Sequence, residues 1–171
     1  MKILMVIAPK RYREEEFEIP AKMFEEAGIE YEVASVESGE CYGIMGGIQN
    51  ADIAIRDADE TSYDALVIVG GLGASDFLWS DDDLKELTEK FGKSGKVTAA
   101  ICLAPVVLAR AGLLKGRQAT VFESPATLKL LEEGGANYVK IGVVADMNII
   151  TANHPTASAE FAETIIEKLT C

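Results

Sequence analysis

Short, almost wholly apolar runs alternate along this chain with longer stretches in which apolar residues recur at helical spacing. Lys2-Ile-Leu-Met-Val-Ile-Ala8 is apolar after its first residue and stops before Pro9. That pattern predicts a strand buried on both faces, as in a parallel sheet. From Glu14 to Ala27, Phe17, Ala21, Phe24 and Ala27 stand among charges at helical intervals, and Gly28 is a natural stop. Tyr31 to Val36 alternates like a strand. Gly43 to Asn50 reads as a turn region, followed by a short strand or hairpin arm around Asp52 to Asp57.

Asp64-Ala-Leu-Val-Ile-Val69 is a second buried strand and runs into Gly70-Gly71-Leu72-Gly73. Three aspartates, Asp81 to Asp83, precede a helical pattern over Leu84 to Phe91, where acidic residues suit the positive end of the helix dipole. Lys96 to Ile101 is a third buried strand, leading through Cys102 into a helix near Ala104 to Ala111. Gln118 to Phe122 reads as a short strand and Pro125 to Glu133 as a helix. Asn148 to Ala152 reads as a strand, and Ala157 to Leu169 as the last helix. Alternating strands and helices of this kind predict a three-layer α/β domain with a mainly parallel sheet, one domain spanning 1–171. Sites in such sheets gather beyond the carboxyl ends of the strands. The residues after the first strand, the Gly70-Gly71 loop and Cys102 all arrive there.

Composition narrows the partners. Lys plus Arg number 16 and Asp plus Glu 28, so the net charge is 16 − 28 = −12. With a sequence pI near 4.5, such a surface repels phosphate backbones and anionic membranes, which argues against nucleic-acid and membrane partners. No apolar run reaches the roughly 18 residues of a membrane span, and MKILMVIAP is too short for a secretory leader. The expected location is cytoplasmic. The three cysteines, Cys41, Cys102 and Cys171, are widely separated, and His154 is the sole histidine. Neither a disulfide framework nor a Cys/His zinc site is expected, and no cofactor is implied.

The sharpest chemical signal is Ala99-Ala100-Ile101-Cys102-Leu103-Ala104-Pro105. A strand turning abruptly into a helix places its turning residue on a strained elbow, which needs small neighbours, here Ala100 and Ala104. A thiol at that place has a helix N-terminus favouring thiolate and outward backbone N–H groups that can hold an oxyanion. By spacing alone, a small buried hydrophobe explains Cys102 as well as a nucleophile does. Glu14-Glu15-Glu16-Phe17-Glu18 has the features of a solvated helix start, yet one glutamate pointing over the sheet could carry protons if burial raised its pKa. Gly70-Gly71-Leu72-Gly73 lacks phosphate-fingerprint spacing. It reads as a tight loop bringing an N–H to the elbow, or as a plain strand-to-helix turn. His154 follows the last strand, where a surface or capping role competes with a Cys-His pair.

Together these segments resemble the ThiJ/PfpI superfamily, which includes intracellular protease I and the parkinsonism-associated protein deglycase. The resemblance covers essentially the whole chain. It rests on strand Lys2 to Ala8, Glu16-x-x-x-Pro20, Tyr63 to Gly71, Ala99 to Cys102, Pro105 to Gly116, and Asn148 to Thr151. It implies a flavodoxin-like, class I glutamine amidotransferase-like α/β/α sandwich. It also implies Cys102 as nucleophile, Glu16 as the carboxyl contacting the thiol, Gly71 and Leu103 as oxyanion donors, and assembly as a homodimer or larger homo-oligomer. Where the protease branch has a histidine after the cysteine, this chain has Leu103, which cannot accept a proton. The deglycase branch also lacks that histidine and has a distal one instead; near Phe122-Glu123-Ser124, where it is expected, this chain has none, and Glu123 or His154 could carry the proton in its place. The expected activity is therefore glyoxalase- or deglycase-like, on a small carbonyl substrate such as a 2-oxoaldehyde, or on a modified protein. A redox sensor or stress-protective role, a protease or amidase, and an inactive binding module are the alternatives. Tyr42, Ile44 and Met45, and Phe77 to Trp79, are apolar patches whose place in core or interface the sequence leaves open. Cys41, in a loop, and Cys171, at the C-terminus, are expected to be incidental.

Overall fold

A computed structural model describes all residues, 1–171. The chain runs β1 (Lys2–Val6), β2 (Lys10–Tyr12), α1 (Glu14–Glu26), β3 (Glu30–Ser35), β4 (Gly39–Gly43), β5 (Ile48–Ala51) and β6 (Ile53–Ala54). It continues through β7 (Ala65–Ile68), α2 (Asp82–Lys93), β8 (Val97–Ile101), α3 (Pro105–Arg110), β9 (Gln118–Ala119) and α4 (Pro125–Glu133). It closes with β10 (Asn137–Tyr138), β11 (Val143–Asp146), β12 (Ile149–Ala152) and α5 (Ser158–Thr170).

Seven strands form the central sheet in the order β11-β12-β8-β7-β1-β3-β6. All neighbouring pairs are parallel except β11 with β12. Successive strand residues point to opposite faces, so each apolar run supplies two cores. Ile3 and Met5 of β1, Val67 of β7 and Ile150 of β12 join Phe17, Phe24 and Phe161 from α1 and α5. Leu4, Val6, Leu66 and Ile68 face the other way, onto Leu84 and Phe91 of α2 and Val106 and Leu108 of α3. The mainly parallel α/β sandwich read from the sequence is thus the fold. No helix is long and apolar enough to cross a membrane.

The departures lie in the small elements. β2, β4 and β5 form a separate three-stranded sheet, so the expected turn region is shorter: it lies between β4 and β5, from Gly43 to Ile48. The arm expected at Asp52 to Asp57 is the two-residue β6 and a 3₁₀ turn over Ile55–Asp57. Gln118 to Phe122 yields only β9, paired with β10. Cys41 is not in a loop but buried in β4, whereas Cys171 is exposed. Tyr42, Ile44 and Met45 are exposed, while Phe77 and Trp79 pack against the core.

Candidate active site

Four adjacent parallel strands, β12, β8, β7 and β1, bring their following residues to one end of the sheet. β8 delivers Cys102 at φ +63°, a left-handed conformation that costs a non-glycine residue about 1–2 kcal/mol. The elbow is held in place by its own backbone bonds. The Cys102 N–H donates to Ala152 O at 2.8 Å, and its carbonyl accepts from the Phe122 N–H at 2.8 Å. The Trp79 indole Nε1 donates to the Leu103 carbonyl at 2.7 Å. Ala100 and Ala104 are fully buried beside it, as the sharp turn requires.

After β7, Gly70 and Gly71 form a strip pressed between the elbow and the start of α1. A Cβ on Gly70 would stand 2.5 Å from Ile101 O, 2.7 Å from Glu16 Oε1 and 2.9 Å from Cys102 Cβ. One on Gly71, at φ +103°, would stand 2.6 Å from Arg13 N and 2.7 Å from Arg11 O. Glycine is therefore needed at both places, and the Arg13 N–H closes the contact by donating to Gly70 O at 3.1 Å.

Helix α1 turns Glu16 inward on the same face as Phe17, Pro20, Ala21 and Phe24. Pro20 has no N–H to give the Glu16 carbonyl four residues earlier, so the first turn lacks that bond. The Glu16 carboxyl is fully buried, and neither of its oxygens meets hydrogen-bond geometry with a protein donor. The Cys102 thiol and the Gly70 amide are near enough to pull its pKa down, as is the Arg13 charge, but burial dominates and raises it to about 8. At neutral pH this carboxyl is mostly a neutral acid.

The thiol departs from its expected thiolate character. Burial and the Glu16 charge push Cys102 up to about 12, against the opposing pull of the Gly71 and Leu103 amides. Helix α3 is only six residues long, a short dipole set against a nearly complete loss of water. The two backbone amides therefore stand at the thiol but do not by themselves ionise it. At neutral pH the pair holds both of its protons, and its titration belongs to the two groups together.

A cavity of about 180 Å³ opens over the thiol, lined by Arg13, Ile44, Gly71, Leu72, Cys102, Leu103, Phe122, His154 and Pro155. It is smaller than the roughly 300–1,000 Å³ that drug-sized ligands occupy. His154 stacks on Phe122 with ring centroids 6.2 Å apart. Its Nδ1 accepts the Thr156 N–H at 3.2 Å, so the neutral ring carries its proton on Nε2. His154 is thus an exposed cap that also lines the cavity. It presents a donor rather than a free base. Glu123 is not in the wall; it pairs with Lys140 at 3.1 Å on the surface. Arg13, which sequence reading did not single out, stands in the wall because it immediately precedes the helix that carries Glu16.

The DJ-1/PfpI family profile matches residues 1–168. The chain belongs to the DJ-1/PfpI family. Among curated relatives, an uncharacterized protein of Methanocaldococcus jannaschii is 44% identical over 168 residues, covering 98% of this chain and 82% of that one. A protein named a deglycase, from Thermococcus kodakarensis, is 33% identical over 156 residues, with 91% of each chain covered. The crystal structure of a ThiJ/PfpI domain protein from Brachyspira murdochii superposes with a TM-score of 0.93 at 33% identity, covering 98% of this chain and 95% of that one. Membership in the DJ-1/PfpI family accords with the elbow, the glycine strip and the buried carboxyl described above.

Proposed function

We propose that this protein is a cysteine-dependent glyoxalase or deglycase-like enzyme acting on 2-oxoaldehydes or on the adducts they leave on proteins. The observation that carries the reading is the placement of the Cys102 thiol between the buried Glu16 carboxyl and the Gly71 and Leu103 amides, under a cavity sized for a few heavy atoms. In the ionised fraction of Glu16, the carboxylate takes the thiol proton as Sγ bonds to the aldehyde carbon. The carbonyl electron pair moves to oxygen, held by the two amides, and that oxygen is then protonated. Glu16 next moves the proton on C1 to C2 through an enediol, leaving a 2-hydroxy thioester. Water cleaves the thioester to the 2-hydroxy acid and the free thiol. Net, one 2-oxoaldehyde and one water give one hydroxy acid, with oxidation at C1 balanced by reduction at C2. The narrow cavity and the replacement Leu103 weigh against a peptide substrate. The burial of Cys102, at 7% exposure, weighs against a freely oxidised sensor thiol.

The test is lactate formation from methylglyoxal, followed by NMR in D₂O. Protium retained at C2 is expected, because the fully buried Glu16 carries the C1 proton there away from solvent. Cys102→Ser should abolish turnover, and Glu16→Gln should lower it by about 10² or more, the usual contribution of a general acid–base group. For the parent protein, kcat/KM should rise with pH through about 8, because the base form of Glu16 appears there. That limb should vanish in Glu16→Gln. Lactate no faster than buffer, or unimpaired turnover by Cys102→Ser, overturns the reading.

A further inference from the structure

Arg13 is the only cation lining the cavity over Cys102. It also lines a second cavity of about 320 Å³, together with Glu15, Ile19, His154, Pro155, Thr156 and Ala159. Arg13, His154 and Pro155 are common to both, so Arg13 stands in the wall between the outer groove and the thiol cavity. Its side chain is 35% exposed. One edge is occupied: Nε donates to Glu15 Oε2 at 2.8 Å. The two Nη groups donate to no protein acceptor, although a guanidinium presents five donors in a rigid fork suited to a carboxylate. Its charge acts on the Glu16–Cys102 pair: Arg13 pulls the Glu16 pKa down, second only to burial in size. Glu15 thus holds one edge of the fork and leaves the Nη groups without a protein partner in the wall of the cavity. On a surface with net charge −12, a cation in the wall of the cavity over the thiol gives an approaching anion a local partner that the net charge opposes.

We propose that Arg13 is the specificity-determining residue of this site, pairing through Nη1 and Nη2 with a carboxylate carried near the carbonyl that Cys102 attacks. The preferred substrates are then small anionic aldehydes rather than neutral ones. The inference rests on the proposed function for the reactivity of Cys102 toward carbonyls, and it adds the charge of the substrate. The covalent step is a reversible addition: Sγ bonds to the aldehyde carbon, and the thiol proton passes by way of Glu16 to the carbonyl oxygen. No oxidant or reductant is required.

Glyoxylate is the smallest probe, and its amide, 2-oxoacetamide, is the uncharged isostere. Protection of Cys102 from iodoacetamide, read by peptide mass spectrometry against probe concentration, gives an apparent Kd for each. The parent protein should bind glyoxylate at least about tenfold more tightly than the amide, as a charge-assisted bidentate contact implies. In Arg13→Gln the preference should fall about tenfold, and Arg13→Lys, keeping charge without the fork, should lie between. A general distortion of the site would weaken both probes alike and leave their ratio unchanged, which overturns the proposal. Should Arg13→Gln fail to fold, Arg13→Lys decides, since a parent-like ratio there also overturns bidentate pairing. If methylglyoxal yields no lactate while glyoxylate still protects Cys102 through Arg13, the proposed function falls and the Arg13 assignment stands.

Discussion

Glu16 joins function and stability in one side chain. An unfolded glutamate titrates near 4.5, whereas the buried one titrates near 8. Below pH 4.5 both states are protonated, and burial of the neutral acid costs least. Between 4.5 and 8 the unfolded chain ionises while the folded one does not, so stability falls steadily with rising pH. Above 8 the full penalty is present, on the order of a few kcal/mol. Glu16→Gln removes the titration. It should therefore melt close to the parent at pH 5 and clearly above it at pH 9, a difference that circular dichroism melts will measure; parallel curves would refute it. The variant expected to lose activity is the one expected to gain stability at alkaline pH, as when a functional group is held against its solvation preference. The sequence could name Glu16 only through its resemblance, because nothing within Glu14 to Glu18 tells which carboxylate loses its water. Arg13 was illegible for a similar reason: a charged residue before a helix ordinarily faces solvent.

Among the elements, the β4–β5 hairpin shapes the cavity from outside the main sheet. Its turn is tied down by the buried Glu14, whose Oε2 accepts the Met45 N–H at 2.8 Å and the Gly47 N–H at 3.0 Å. Ile44, in that turn, donates its N–H to Tyr12 O at 3.0 Å and lines the cavity. Gly43 and Gly47 leave the space, since a Cβ there would stand 2.3 Å and 2.9 Å from Glu14 side-chain atoms. Glu14→Ala should release the turn: we expect a raised KM with kcat little changed, and faster amide exchange at Met45 and Gly47 while β1 and β8 stay protected. Unchanged exchange at those two amides would refute the latch. This hairpin was not legible because β4 and β5 mix Gly, Glu and Gln with isolated apolar residues. β1, β7 and β8 were legible because burial on both faces makes them almost continuously apolar, with Thr98 the one polar residue inside β8. β11 escaped notice because a half-exposed strand at the edge of the main sheet carries a weak pattern.

At the scale of the whole molecule, the order of strands decides what can react. The site exists because β12, β8, β7 and β1 lie side by side and parallel, so residues far apart in sequence, Glu16, Gly71, Cys102 and His154, leave the sheet at one end. Parallel order follows from the alternation of strands and helices, which is why the location of the site could be read before its geometry. The charge acts over the same scale. Even if every Lys and Arg were paired, 28 − 16 = 12 carboxylates would remain without a cation. The ion pairs present include widely exposed ones such as Lys22–Glu26 and Lys129–Glu133, at 4.0 Å each, which contribute little. Screening therefore relieves more repulsion than it removes attraction. Raising sodium chloride from about 10 mM to about 300 mM shortens the Debye length from roughly 30 Å to under 10 Å, and should raise Tm by a few degrees at pH 7. The rise should shrink near the pI of about 4.5, where the net charge disappears. A salt-independent Tm at pH 7 would mean that the local ion pairs, not the acidic excess, set the electrostatic balance of the fold.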